Sequence, residues 1–368
     1  MPRLTPIAQS LPASVPFVGP EAQERARGGA FAARLGANES PFGPSPAALA
    51  AMRDAAADVW MYGDPEYHDL RYALAAHRDV PPEAIVAGEG IDGLLGYLVR
   101  LTVGPGDPVV TSAGAYPTFA YHVAGAGGTL HAVPYAGDHE DPEALAAKAR
   151  ETGAKLVYLA NPDNPMGSHH PAARIAEMLD ALPADTLLCL DEAYADLAPP
   201  GTIPPLDATD GRVIRMRTFS KAHGLAGLRV GYAIGHPDLI GAFDKVRNHF
   251  GLGRVAQAGA LAALADTAWL AEVRARVAQS RDRIAAITRG AGLVPLPSAT
   301  NFVAVDCGGD GAFARAVLAA LLAEGVFVRM PGVAPLDRCI RISCGTPADM
   351  DALASALPRA LGRVRDGT

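Results

Sequence analysis

Short apolar runs alternate with amphipathic stretches through the first two thirds of the chain. The apolar runs at 84–87, 108–112, 129–133, 155–160, 186–190, 213–218 and 230–234 have the length of buried strands. Helical spacing fills 90–103, 117–125, 142–152 and 171–181, and the last three open on proline, a good first helical residue. Two further helices are predicted upstream, one after Pro44-Ser45-Pro46 and one over 69–78. Strand–helix alternation of this kind predicts an α/β fold: a doubly wound, mostly parallel sheet with helices on both faces. Past residue 237 the texture changes. Ala/Arg-rich helices run over 239–289, followed by strands at 300–305, 326–330 and 338–344 with helices at 310–324 and 347–365. This predicts a smaller α/β C-terminal domain. The expected division is 1–44 as an N-terminal arm and small-domain segment, 45–238 as the large domain, and 239–368 as interdomain helices plus the small domain. Residues 1–30 are proline-rich and weakly periodic, so they are expected to pack on something else, such as a second subunit.

Composition narrows the function. Of 368 residues 49% are apolar and 19% charged, enough to bury a large core and too ordered in pattern for whole-chain disorder. A net charge of −7 argues against a general nucleic-acid binder. The four cysteines (Cys189, Cys307, Cys339, Cys344) have neither a disulfide framework nor metal-ligand spacing, and read as buried, reduced thiols. His169-His170 has no partner at metal-ligand spacing and reads as a surface pair, so no metal is expected. No run reaches about 18 apolar residues and no export signal stands at the N-terminus. The expectation is a cytoplasmic protein without membrane contact.

The chemistry concentrates in Thr218-Phe-Ser-Lys-Ala-His-Gly-Leu-Ala-Gly-Leu-Arg-Val-Gly-Tyr232. A lysine at a strand terminus beside cations loses proton affinity and becomes a nucleophile toward an aldehyde cofactor, a role for Lys221. Ser220 and Arg229 are suited to a phosphate. Asp191 follows the buried run Thr186–Leu190 and emerges at the same sheet edge. A carboxylate there keeps a pyridine nitrogen protonated and makes the ring an electron sink. Tyr194 and Asn164, the latter in Asn161-Pro-Asp-Asn-Pro-Met-Gly167, are donors for the ring oxygen. Gly88-Glu-Gly-Ile-Asp-Gly93 lies between a strand and a helix, a ready anion site.

Together LGANESPFGPSP, YGDPEYHDLRYALA, VAGEGIDGLL, NPDNPMG, LCLDEAYADL, RTFSKAHGLAGLRVGY, TNFVAVD and CIRISCGTPADMDAL resemble the histidinol-phosphate aminotransferase family of class I/II, fold-type-I enzymes dependent on pyridoxal 5'-phosphate (PLP). The resemblance spans about 35–357 and makes 45–238 the PLP-binding domain. It implies that Lys221 carries the cofactor and moves the Cα proton. Asp191 pairs with the ring nitrogen, while Tyr194 and Asn164 bond the ring oxygen. Gly90, Ile91 and Asp92 hold the phosphate with Ser220 and Arg229, and Phe119 stacks on the ring. Tyr62 reaches the phosphate from the second subunit of a homodimer. Arg341 grips the substrate carboxylate, with Arg329 as a second anion partner and Asn38 in the pocket lining. The implied reaction moves an amino group between an amino acid or amine and a 2-oxo acid. The alternative is a PLP-dependent decarboxylase resembling threonine-phosphate decarboxylases. A PLP-sensing regulator on this fold needs a DNA-binding module, for which no basic helix-turn-helix segment is present. The chain departs from the family at Tyr62-Gly63, where proline often follows the tyrosine. It also departs at Met166, where threonine is common, and at Ile91, where a small residue stands. Phe17 replaces a tyrosine often offered to the substrate phosphate, which points to a general amino-acid donor.

Overall fold

The computed structural model of the chain describes residues 3–12 and 19–367; Phe17 lies outside them. The strands, in chain order, are β1 Ala33–Arg34, β2 Ile85–Gly88, β3 Pro108–Ser112, β4 Thr129–Val133, β5 Leu156–Ala160, β6 Leu187–Asp191, β7 Val213–Thr218, β8 Gly231–Ile234, β9 Val294–Pro295, β10 Phe302–Asp306, β11 Val326–Phe327 and β12 Cys339–Ser343. Seven form one sheet in the order β2-β8-β7-β6-β5-β3-β4. All neighbours in it are parallel except β8, which runs antiparallel to both β2 and β7. The reason lies in 219–230, which holds only a short 3-10 turn. A parallel return needs a crossover helix, so the chain doubles back instead.

The parallel strands β5 and β6 are buried along almost their whole length, as a sheet covered on both faces requires. One core runs across the sheet from β3 to β2 under helices Gly90–Thr102 and Arg254–Ala265, and another lies beneath Pro142–Thr152 and Ala172–Ala181. The first core continues through Ala256, Ala260 and Leu264. The textural break at 238 is therefore not where the large core ends. The predicted helical block 239–289 is four pieces: Pro237–Ala242, a 3-10 turn, Arg254–Ala265 and Thr267–Gly290.

A separate core joins helices Gly311–Ala323 and Pro347–Asp366 to a three-stranded antiparallel sheet, β12-β10-β9. The predicted strand 326–330 is shorter. β11 pairs in parallel with β1 from the N-terminal segment, and Arg329 makes one isolated bridge to Arg341. Within its own chain, the arm's Ile7 lies against Gly127, and helix Pro20–Arg27 is tied down by Glu24, which accepts from Phe31 N at 2.9 Å and pairs with Arg34.

Candidate active site

In the large sheet, β3 leads outward to β4 and the chain then returns to lay β5 beside β3, so the winding reverses between β3 and β5. Crevices beyond the carboxyl ends of strands form at such a point. Tyr116 follows β3, Asn164 follows β5, Asp191 ends β6 and Lys221 follows β7. Residues far apart in sequence thus reach one edge.

Lys221 is half-buried, and its Nζ donates to the Asn38 carbonyl at 3.1 Å. Burial, with Arg341 and Arg229 nearby, pushes its amine down to about 8, against the opposing charges of Glu39 and Asp92. Asp191 is 5% exposed. Its Oδ2 accepts from the Tyr158 hydroxyl at 2.6 Å and its Oδ1 from Ala193 N at 2.9 Å. Burial still lifts it to about 6, because Asp92 and Glu192 add negative charge and two hydrogen bonds only partly offset desolvation. A cation placed beside a buried carboxylate so lifted would favour its ionised form.

The residues read from the sequence as phosphate partners lie close together. Gly90 opens helix Gly90–Thr102 with no side-chain cap on its first turn, leaving an N-terminus suited to an anion. It adopts φ +77, and a Cβ there would strike the Arg229 guanidinium. Gly231 lets the turn sit on β8, since a Cβ would lie 2.8 Å from the Gly90 carbonyl carbon. Ile91 packs into the core at 7% exposure, worth about 2 kcal/mol of burial, so its backbone faces the site while its side chain anchors the helix. Asp92 accepts from the Tyr116 hydroxyl at 2.9 Å. Arg229 Nη1 lies 3.4 Å from Ser220 Oγ, which also accepts from Thr218 at 2.9 Å.

Tyr194 is buried, and its hydroxyl accepts from Asn38 Nδ2 at 3.1 Å, which leaves its own proton for a ligand oxygen. Asn164 Oδ1 accepts from Arg341 Nη1, so its amide nitrogen remains the donor. Arg341 also donates to the Gly36 carbonyl at 3.2 Å, and its Nε has no partner among the described residues. Burial and the neighbouring Arg329 bring its guanidinium down to about 10. A structural ion pair to Asp349 or Asp351 is not what it makes: Asp349 caps its own helix at Thr346, and Asp351 faces Arg283. Arg329 is placed beside Arg341 by mutual backbone hydrogen bonds.

Two placements differ from the sequence reading, and a third residue lies outside the site of its own chain. Phe119 has no exposed face; its ring stacks on Tyr158 with centroids 4.7 Å apart, beneath the site. Asn38, expected as pocket lining, is a buried hub at φ 55 that bonds Ser343, Tyr194, Asn301 and Lys221 through its side chain and backbone. Tyr62 is 77% exposed and pairs with Phe250 at 4.8 Å, outside the site of its own chain.

Sequence reasoning missed Tyr158 and the carboxyl pair behind Asn164. Glu140, 1% exposed, accepts from Ser112 at 2.5 Å and from Ala160 N at 2.9 Å. Asp163 accepts from Tyr135 at 2.9 Å and is hydrogen-bonded to Glu140, with burial pushing it up to about 7. Two such carboxyls share a proton. The one available signal was a tyrosine inside an otherwise aliphatic strand, because a buried phenol needs a polar partner.

Comparison with known proteins matches this arrangement. The family model described as aminotransferase class I and II covers residues 33–357. A histidinol-phosphate aminotransferase from Anaeromyxobacter sp. (strain Fw109-5) is 39% identical, over 98% of this chain and 100% of the relative. An aromatic amino acid aminotransferase from Mycobacterium avium (strain 104) is 37% identical, over 87% of this chain and 89% of its own. The crystal structure of histidinol-phosphate aminotransferase from Sinorhizobium meliloti in complex with pyridoxal-5'-phosphate superposes with a TM-score of 0.95 at 56% identity, covering 100% of this chain and 99% of that one. With the motifs, the sheet and the sheet-edge residues in agreement, the chain belongs to the class I and II aminotransferases.

Proposed function

We propose that the protein is a PLP-dependent aminotransferase that moves an amino group between a small-molecule amino donor and a 2-oxo acid. The carrying observation is Lys221, its amine pushed down to about 8, at the same sheet edge as the buried Asp191, lifted to about 6. The residues fit PLP: a carboxylate in want of a cation, an uncapped helix N-terminus with Arg229 and Ser220, and a glycine cradle a Cβ would fill. The decarboxylase alternative is not favoured, since the relatives are named aminotransferases.

Bound PLP supplies an aldehyde for the amino group and a ring that withdraws electrons from the carbon bearing it. Asp191 holds a proton at the ring nitrogen through its carboxylate. Tyr194 and Asn164 donate to the ring oxygen, and the Gly90–Asp92 backbone with Ser220 and Arg229 holds the phosphate. Lys221 would hold the aldehyde and, once freed by the substrate amine, would move a proton between the substrate Cα and the carbon that carried the aldehyde, a task its lowered basicity suits near neutral pH. Arg341 binds the substrate carboxylate through two parallel hydrogen bonds, giving up Asn164 and Gly36. Arg329, fixed beside it, takes a second anionic group, either a donor phosphate or the distal carboxylate of an acceptor.

A homodimer is part of the reading. Val59, Trp60, Tyr62 and Phe250 are 65%, 79%, 77% and 51% exposed, an apolar face suited to a second copy that brings Tyr62 to the neighbouring phosphate. The division at 44 and 238, with the large core continuing to Leu264, and a cytoplasmic location complete the proposal. Among the described residues no helix is long and apolar enough to cross a membrane.

The test is borohydride reduction of the PLP-loaded protein followed by peptide mapping. The adduct is expected on Lys221, and an adduct elsewhere overturns the assignment. A donor screen with histidinol phosphate and aromatic amino acids, against 2-oxoglutarate and pyruvate, then identifies the substrate.

A further inference from the structure

β5 and β6 pair in parallel with Tyr158 opposite Cys189 and Ala160 opposite Asp191. Side chains two positions apart share a face, so Tyr158 and Asp191 point to the same side of the sheet. The length of a tyrosine carries its hydroxyl up the strand to Asp191 Oδ2, 2.6 Å away. The phenol has no exposure to water, and its ring is held flat against Phe119 at 4.7 Å and 20°. Burial and the adjacent carboxylate push its own ionisation well above the usual range, so it remains a donor at every working pH.

We propose that Tyr158, fixed by Phe119, is a positioning residue that keeps Asp191 ionised and aimed into the site. The proposal rests on the reading of Asp191 as the partner of the PLP ring nitrogen. The need for such a donor is physical. The other groups around Asp191 do not favour its charge. Asp92 on the neighbouring helix and Glu192 next on its own chain raise its proton affinity. Glu140, Cys189, Tyr116 and Tyr194 also interact electrostatically with it, none of them cationic in this setting. Opposing this, Asp191 has only the Tyr158 hydroxyl and the Ala193 amide. A carboxylate that loses its phenol donor becomes the stronger base. It then competes with the ring nitrogen for the proton that makes the ring an electron sink.

The experiment is Tyr158→Phe, read first without cofactor. Carbon-13 NMR of labelled aspartate, with Asp191→Asn as the assignment control, follows the carboxyl titration. The midpoint is expected to rise by about one unit or more, the weight of a hydrogen bond to a charged group. In the PLP-loaded protein kcat is expected to fall about tenfold or more with cofactor content retained. Incorporation of 3-fluorotyrosine, a more acidic donor at the same position, is the second measurement should the phenylalanine variant not fold; it is expected to move the midpoint down. An unmoved midpoint in either protein overturns the proposal, as does a moved midpoint with an unchanged kcat. A wild-type chain that takes up no PLP overturns instead the reading of the site, and the titration result stands apart from it.

Discussion

Asp191→Asn is expected to make the cofactor-free protein more stable at neutral pH while crippling the enzyme. Asp191 is lifted from 3.8 to about 6 by burial among other acids. At about 1.4 kcal/mol per unit the ionised form costs the fold about 3 kcal/mol. The sign follows from linkage. A carboxyl whose folded pKa is raised is neutral in both states below 3.8, so the cost is absent there. It builds as pH rises from about 4 to about 6 and is complete above that. Asparagine does not ionise and escapes it. It also keeps one acceptor oxygen for two donors, Tyr158 and Ala193 N, and the lost bond takes back about 1 kcal/mol or more. The variant should therefore gain about 1–2 kcal/mol above pH 6 and lose about 1 near pH 4. Urea unfolding of cofactor-free wild type and variant at pH 4.5 and 7.5 measures this. PLP reverses the order, because the charged ring nitrogen is the partner the carboxylate lacks. The cofactor should stabilise wild type more than the variant, and turnover should fall about a hundredfold for loss of one strong electrostatic partner. A variant less stable than wild type at pH 7.5 without cofactor, or a difference independent of pH, would refute the reasoning.

Three other outcomes follow from the site. Arg341→Lys should raise KM for the 2-oxo acid about tenfold or more, since an ammonium cannot make the paired hydrogen bonds; lost thermal stability with unchanged KM would mean a structural role. Mixing Lys221→Ala with Tyr62→Ala subunits should restore activity in heterodimers, and heterodimers that form yet stay inactive would place Tyr62's role within its own chain. Asp163→Asn should leave the cofactor-free protein less dependent on pH between about 4 and 7. In wild type the buried Asp163, pushed up to about 7, keeps its proton where the unfolded chain has already lost it, so stability should fall across that window and level off above it. Parallel unfolding curves for the two proteins would count against the retained proton.

The sequence by itself determined the alternation of strands and helices, the mostly parallel sheet and the edge at which the candidate site residues gather. Each of those is a local signal: strand length, proline at a helix start, glycine before a helix, a polar residue ending an apolar run. The order of Asn164, Asp191 and Lys221 along the chain survives in space because successive parallel strands deliver their C-terminal ends to one line, and Arg229 joins them because antiparallel β8 starts at that edge. What only the tertiary structure decided depends on packing between distant segments. Asn38 is an unremarkable asparagine in sequence. It becomes a hub because β1 is laid against β11, which brings the segment after it to Ser343, Asn301 and Lys221. Phe119 lies under the site rather than on its surface because Tyr158 meets it from an adjoining strand, and periodicity carries no information on which ring covers which. The antiparallel turn of β8 was hidden for a similar reason. An apolar run declares a strand, but its direction is set by whether the connecting segment can cross the sheet, and 219–230 cannot.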